Sequence, residues 1–297
     1  MRNFFPAQRC AELFPRDPRY YQIAVLFSLL IYGVGWLAFD IRTSAITILL
    51  CTALAAQFLC VKVFAVSAFD PRSALISGLS LCLLLRANSA ALLIATAAIT
   101  IASKFFLRWK GKHIFNPTNF GIVAMLALSG EIWVSPAQWG SKLQFAFLMA
   151  CLGGMVIHRA MRSDVSGAFI ISYAAVLFGR AYWLGDPWAI PLKQLQSGAL
   201  LLFTFFMISD PKTTPDARAG RILFGCLVAA GAAYVQFVLY RTNGLLWSLA
   251  LCSLATPLID FLLPGNKYQW QKPSTGTQGE AHEQDRLVFR PAVRPVV

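Results

Sequence analysis

Charge and the familiar catalytic signatures are what this sequence has least of. Only 13% of its 297 residues are Asp, Glu, Lys or Arg, about half the share of an average soluble domain. A surface made for water cannot be built from so few. The three histidines, His113, His158 and His282, stand alone. The seven cysteines (Cys10, Cys51, Cys60, Cys82, Cys151, Cys226 and Cys252) show no CxxC or Cys/His spacing, which argues against a metal site and leaves them as small, buried apolar residues. There is no phosphate-binding glycine loop, nucleophile elbow or HExxH, so hydrolase chemistry has no support. Acids are scarcer still than bases, 13 against 26, for a net charge of +13. The basic residues are scattered between apolar runs and form no stripe, so nucleic acid is not expected as a partner.

What remains is apolar: 57% of the chain, suited to a helix bundle with lipid on every side. Applying the length of a membrane span divides the chain into apolar runs at residues 21–39, 44–66, 74–85, 90–106, 119–134, 143–157, 165–179, 195–208, 222–240 and 244–263. This predicts an all-α polytopic membrane protein of about ten spans. Connections between spans must alternate sides, and their Lys/Arg content should alternate with them. It does: of 26 Lys and Arg, only Arg42, Arg86, Lys142, Arg180, Lys193 and Arg241 fall on one side. The expected topology therefore has both termini in the cytoplasm of a bacterial-type inner membrane, with membrane lipids as surroundings. Residues 1–20 carry four arginines and three prolines, lack the core of a cleavable signal, and are read as a cytoplasmic segment. Residues 264–297 lose apolar character and are read as a disordered cytoplasmic tail. Trp36, Trp133, Trp139, Trp183, Trp188 and Trp247 lie near run ends, as an interfacial belt requires.

Two runs are short and share Ser-Gly, at Ser77–Gly78 and Ser197–Gly198, and Thr118–Asn119 and Thr242–Asn243 align downstream. Five runs per half make the second copy point the other way. The expectation is two inverted five-helix repeats, about 21–134 and 143–263, with a site where short or interrupted helices meet.

Three groups of residues could carry chemistry. In Ser209-Asp210-Pro211-Lys212-Thr213-Thr214-Pro215, followed by Arg218, an acceptor-only carboxylate, two hydroxyls and forked donors could hold a phosphate or the polar edge of a flavin. The same residues could equally make a turn that caps the next helix. In Asn116-Pro117-Thr118-Asn119, Asn116 is a natural N-cap, and a helix N-terminus facing a cavity would attract an anionic or carbonyl group. Arg86, Lys104 and Asp260 lie near run ends, where they could act or simply snorkel.

Together these segments resemble the membrane-subunit family that contains NqrB of the sodium-pumping NADH:quinone reductase and RnfD of the Rnf electron-transport complex. The carriers are SALISGL from Ser73, FNPTNFGIV from Phe115, QSGALL from Gln196, FMISDPKTTPDARAGRILFG from Phe206 and TPLIDF from Thr256. The resemblance implies ten spans in an inverted repeat and flavin-mediated electron transfer coupled to ion movement, inside a complex with other subunits. It implies a cofactor-binding set of Asn116, Pro117, Asn119, Ser197, Gly198, Asp210, Thr213, Thr214 and Arg218, for a noncovalent flavin (FMN or riboflavin) or an ion. The family's covalent FMN sits on a Thr in a long connection after the fifth span. Here that connection, residues 129–142, is short and has no Thr, so covalent FMN is not expected. A transporter or channel on the same scaffold, without redox chemistry, is the alternative, and an assembly subunit a third.

Overall fold

The structure, a computed structural model, describes residues 17–66, 69–135 and 143–268. Residues 1–16 and nearly all of the expected tail lie outside the described residues.

Helices dominate, and each of the ten apolar runs coincides with one. The first half holds α1 (Pro18–Gly35), α2 (Thr43–Val63), α3 (Pro71–Leu84), α4 (Ala90–Phe106) and α5 (Pro117–Leu128). The second holds α6 (Leu143–Arg159), α7 (Ser163–Leu184), α8 (Ala189–Leu195), α9 (Gly198–Leu202) running into a π-helical turn (Phe203–Met207), α10 (Arg218–Phe237), α11 (Gly244–Ser253) and α12 (Thr256–Leu262). Three of these, α2, α7 and α10, are long and apolar enough to cross a membrane, and α11 with α12, bent by 49°, would make a fourth. The others are apolar but shorter.

Local chemistry explains the helix starts. α1 and α3 open identically: Asp17 and Asp70 each accept a backbone N–H two residues on, and proline follows at the first helical position. Pro117 occupies that place in α5, behind the Asn116 cap. Proline has no N–H to lose there and its φ is already helical. α7 ends on Gly185 at φ 72°, the left-handed cap that glycine adopts without steric cost.

Packing places one continuous core inside, with Leu26, Leu49, Leu81, Phe169, Phe203 and Phe224 fully enclosed. Large side chains also remain outside, among them Phe27, Leu59, Ile171 and Leu251, the outward surface that hydrocarbon solvates and water would not. Close approach depends on small residues: a Cβ at Gly121 would collide with Thr100 Oγ1, and one at Gly225 would come 2.8 Å from the Val165 carbonyl oxygen.

Several expectations need correcting. The run 119–134 is not one helix: α5 stops at Leu128, and β4 (Ile132–Val134) pairs antiparallel with β1 (Leu85–Ala87), directly after α3. β-Branched and aromatic residues favour a strand here as much as a helix. The run 195–208 is broken, with α8 ending just before Ser197. Of the described cysteines only Cys82 is buried, while Cys51 and Cys151 are exposed. An apolar exterior removes the pressure that buries cysteine in a soluble protein. Residues 264–268, placed with the tail, lie against the bundle: Lys267 Nζ donates to the Lys110 carbonyl at 3.0 Å, and Arg162 lies over the Tyr268 ring. Trp36, Trp183 and Trp188 are exposed as a belt requires; Trp139 and Cys10 lie outside the described residues.

Candidate functional site

The charged residues gather at one end of the bundle, and a polar cavity of about 280 Å³ opens there. Its walls come from both halves of the chain: α3, the end of α4, the start of α5, and the turn after Met207. Serines at 73, 77 and 80 lie on one face of α3 by helical spacing and all line it. Two of them bond back to their own helix, Ser77 to the Ser73 carbonyl and Ser80 to that of Ile76. The third, Ser73, receives Lys104 Nζ at its carbonyl (2.7 Å) and its hydroxyl (3.0 Å). Lys104 is only 4% exposed, so it points inward and does not snorkel.

Asn116 does two things at once. Its Oδ1 accepts the Asn119 N–H, capping α5, and its Nδ2 donates to the Met207 carbonyl at 3.1 Å. The cap therefore ties the first half to the π-helical turn of the second, where the carbonyl has lost its regular helical donor. Asp210 is fully buried beside it. Its carboxylate accepts the Lys212 N–H at 3.0 Å, and its carbonyl accepts from the Thr213 and Thr214 hydroxyls. Burial raises the Asp210 pKa, against the pull of that backbone bond and of Lys104, Lys212 and Arg162. His113, between the charged strand residues and α5, is pushed down to about 3 by burial and then by the Arg108, Lys104 and Lys212 charges. It is a neutral imidazole at pH 7, and its Nδ1 is buried without a hydrogen-bond partner.

The predicted residues divide. Asn116, Pro117 and Asp210 line the cavity. Thr213 and Thr214 stand behind it, shaping the Asp210 turn, with Thr214 also accepting from Arg162 Nε at 3.0 Å. Asn119 is turned toward α11, donating to the Leu246 carbonyl. Arg218 is exposed at the start of α10. The Asp210 turn does not cap that helix, whose N-cap is Ala217 with no side-chain bond. Ser197 and Gly198 belong elsewhere. Ser197 lines a larger, mostly apolar cavity of about 710 Å³ at the opposite end, with Tyr173, Gln236 and Trp133. The two cavities share one lining residue, Met207.

Arg19, Asp70, Lys104, His113 and Lys212 complete the polar lining, and the signal for three of them was present in the sequence. Asp-Pro followed by a basic residue occurs at 17–19, 70–72 and 210–212, and all three turns meet here. Arg19 bonds both Asp17 and Asp70, and Arg72 Nη1 returns to Asp17 at 2.8 Å. A second tie lies alongside: Lys112 Nζ contacts Asp216 at 3.0 Å and Asp260 at 2.6 Å. Arg221 clasps Asp164 at 2.6 Å. Among the described residues there is no cluster of metal-ligating side chains.

Residues 132–269 match the model of the NQR2, RnfD, RnfE family, a stretch that holds the Asp210 turn and everything from α6 to α12. The chain is 30% identical over 160 residues to the RnfD protein of the ion-translocating oxidoreductase complex of Erwinia tasmaniensis, covering 52% of this chain and 40% of that protein. It is 28% identical over 139 residues to the protein of the same name in Citrobacter koseri, 46% of this chain and 36% of that one. A third, in Salmonella newport, is 29% identical over 150 residues, 49% of this chain and 39% of that protein. The aligned stretch thus spans only about two fifths of these relatives. The resemblance carried by the sequence motifs is borne out.

Proposed function

We propose, from the kinship of residues 132–269 with the NQR2, RnfD, RnfE family, that this chain is an integral membrane subunit of an ion-translocating electron-transport complex. The polar cavity at its basic end is where it handles electrons. One observation carries this reading: three Asp-Pro-basic turns and a cap that bridges both halves bring buried charge to a single cavity, an arrangement costly to keep in an apolar protein unless it is used.

The basic end faces the cytoplasm by the positive-inside rule. Ten spans in an inverted repeat agree with the packing order. α2 packs on α4 as α7 packs on α10, α4 on α5 as α10 on α11, and α1 on α3 as α6 on α9. A noncovalent flavin suits the lining. Arg19, Lys104 and Lys212 are donors for an anionic or carbonyl edge, neutral His113 offers an acceptor, and Phe206 an aromatic face. When bound, such a group would supply one- and two-electron transfer; the protein holds its polar edge and keeps charge compensated around it. The cavities at the two ends, meeting at Met207, give ion movement a short barrier to cross.

The test is extraction of cofactor from the complex purified with its partner subunits. Flavin released on denaturation, with its absorbance bleached by the electron donor, is the expected result. A colourless, cofactor-free complex would overturn the reading, and solute uptake in liposomes without any donor would favour a transporter.

A further inference from the structure

A second cavity at the basic end, about 430 Å³, takes no part in the reading above. It lies between the β2–β3 hairpin (Arg108–Trp109 and Lys112–His113) and α12. Its wall on the α12 side is apolar and runs outward through Leu258 and Phe261, which are 59% and 78% exposed. Its rim is basic. Lys112 is engaged by Asp216 and Asp260, which leaves Lys110 and Lys267 as lining cations with no carboxylate partner among the described residues. Two details mark the site as built. Lys110 is at the tip of the hairpin turn with φ 49°, followed by Gly111 at φ 81°. That turn favours Asn or Gly at both places, and a lysine held in left-handed backbone is strained. The strain fixes a cation against the second one, since Lys267 Nζ sits 3.0 Å from the Lys110 carbonyl. Thr256, 1% exposed, also lines the cavity, and its hydroxyl has no hydrogen-bond partner.

We infer that this cavity binds one anionic phospholipid from the cytoplasmic leaflet, its phosphate between Lys110 and Lys267 and in reach of the Thr256 hydroxyl, with acyl chains along Leu258 and Phe261. A soluble phosphate would use the lysines but leave the apolar wall bare. A zwitterionic lipid would cover the wall but carry its own cation to the lysines. Trp109, 56% exposed at the same rim, is the amphipathic ring expected at headgroup depth. The inference rests on the membrane location and orientation proposed above, not on the flavin.

The experiment is native mass spectrometry of the full-length protein, with its partners, in detergent, after exchange into phosphatidylglycerol or phosphatidylcholine. Retention of phosphatidylglycerol over phosphatidylcholine is expected. Each lysine near an anionic surface contributes about fivefold in affinity, so Lys110→Gln with Lys267→Gln should lower retention roughly thirtyfold. Arg218→Gln, which removes an equal charge at the same end but outside the cavity, should leave it unchanged. Thr256→Val, which deletes an unpaired buried hydroxyl, should retain less lipid while unfolding no more easily. Equal retention by the lysine variant and the parent, or equal loss in Arg218→Gln, would overturn the site. So would inorganic phosphate displacing the lipid at comparable concentration. Flavin content is read separately on the same samples, so failure here leaves the electron-transfer reading standing.

Discussion

The two ends of this bundle solve the same problem in opposite ways. At the basic end, helices stop on charged turns whose partners are buried and close, such as Lys112 with Asp216 and Asp260 at 3.0 and 2.6 Å. At the other end the charges are few. Arg180 and Asp186 stand 3.7 Å apart and more than a third exposed, and the space between helices is a wide apolar cavity. Burying charge costs several kcal/mol per ion unless geometry repays it. The basic end accepts that cost repeatedly and the other end avoids it, so the first is the end where charge has a task.

The largest test of that contrast is to remove one cation from each end. Lys112→Met leaves Asp216 and Asp260 facing each other without compensation and should cost about 3–5 kcal/mol. Arg180→Met should cost less than about 1 kcal/mol. Unfolding of both variants in the same detergent measures the difference, and equal losses would erase the distinction between the ends.

Acidification is the next largest. The His113 pKa lies near 3, below the ordinary value of 6.5, so the unfolded chain takes the proton first and stability falls as pH drops below about 6.5. By pH 5 the loss should reach about 2 kcal/mol, and His113→Gln should abolish it. A second loss should appear below about pH 4. Burial tends to raise Asp17 and Asp70, but hydrogen bonds and charge from Arg19 and Arg72 outweigh it and hold both carboxyls low. Their stabilisation is present above the unfolded value and is lost as they protonate. Thermal unfolding across pH separates the two windows, because of these three groups only His113 responds between about pH 6.5 and 4.

The smallest effect belongs to the apolar end. Tyr173→Phe removes the 2.6 Å bond from Tyr173 to Gln236 and should cost about 1 kcal/mol, with donor-driven activity retained. An activity loss there as large as at the basic end would mean that both cavities carry the chemistry.

Much of the fold was legible because hydropathy and capping are local. Asp17-Pro18, Asp70-Pro71 and Asn116-Pro117 announce helix starts, and the apolar runs fall on helices. Burial was not legible in the same way: a helix apolar all round does not say which face meets protein, so the exposure of Cys51 and the enclosure of Lys104 needed the packing. The site was half legible. Asn116 and Asp210 were found from their own motifs, whereas Arg19 and Asp70 reach the cavity only through contacts 51 residues apart in sequence. Ser197 was paired with Ser77 by spacing, yet the break before α9 sends it to the far cavity.

The measurement that bears most directly on the central claim is donor-driven ion uptake per unit of folded protein for Asp210→Asn, in the complex reconstituted with its partners. Asparagine keeps an acceptor for the Lys212 N–H and removes only the charge. The account predicts that uptake falls by at least about tenfold, the effect of roughly 1.4 kcal/mol on a rate, while the amount of folded protein stays near that of the parent. Uptake and folded protein falling together would return Asp210 to a purely structural turn and contradict the account.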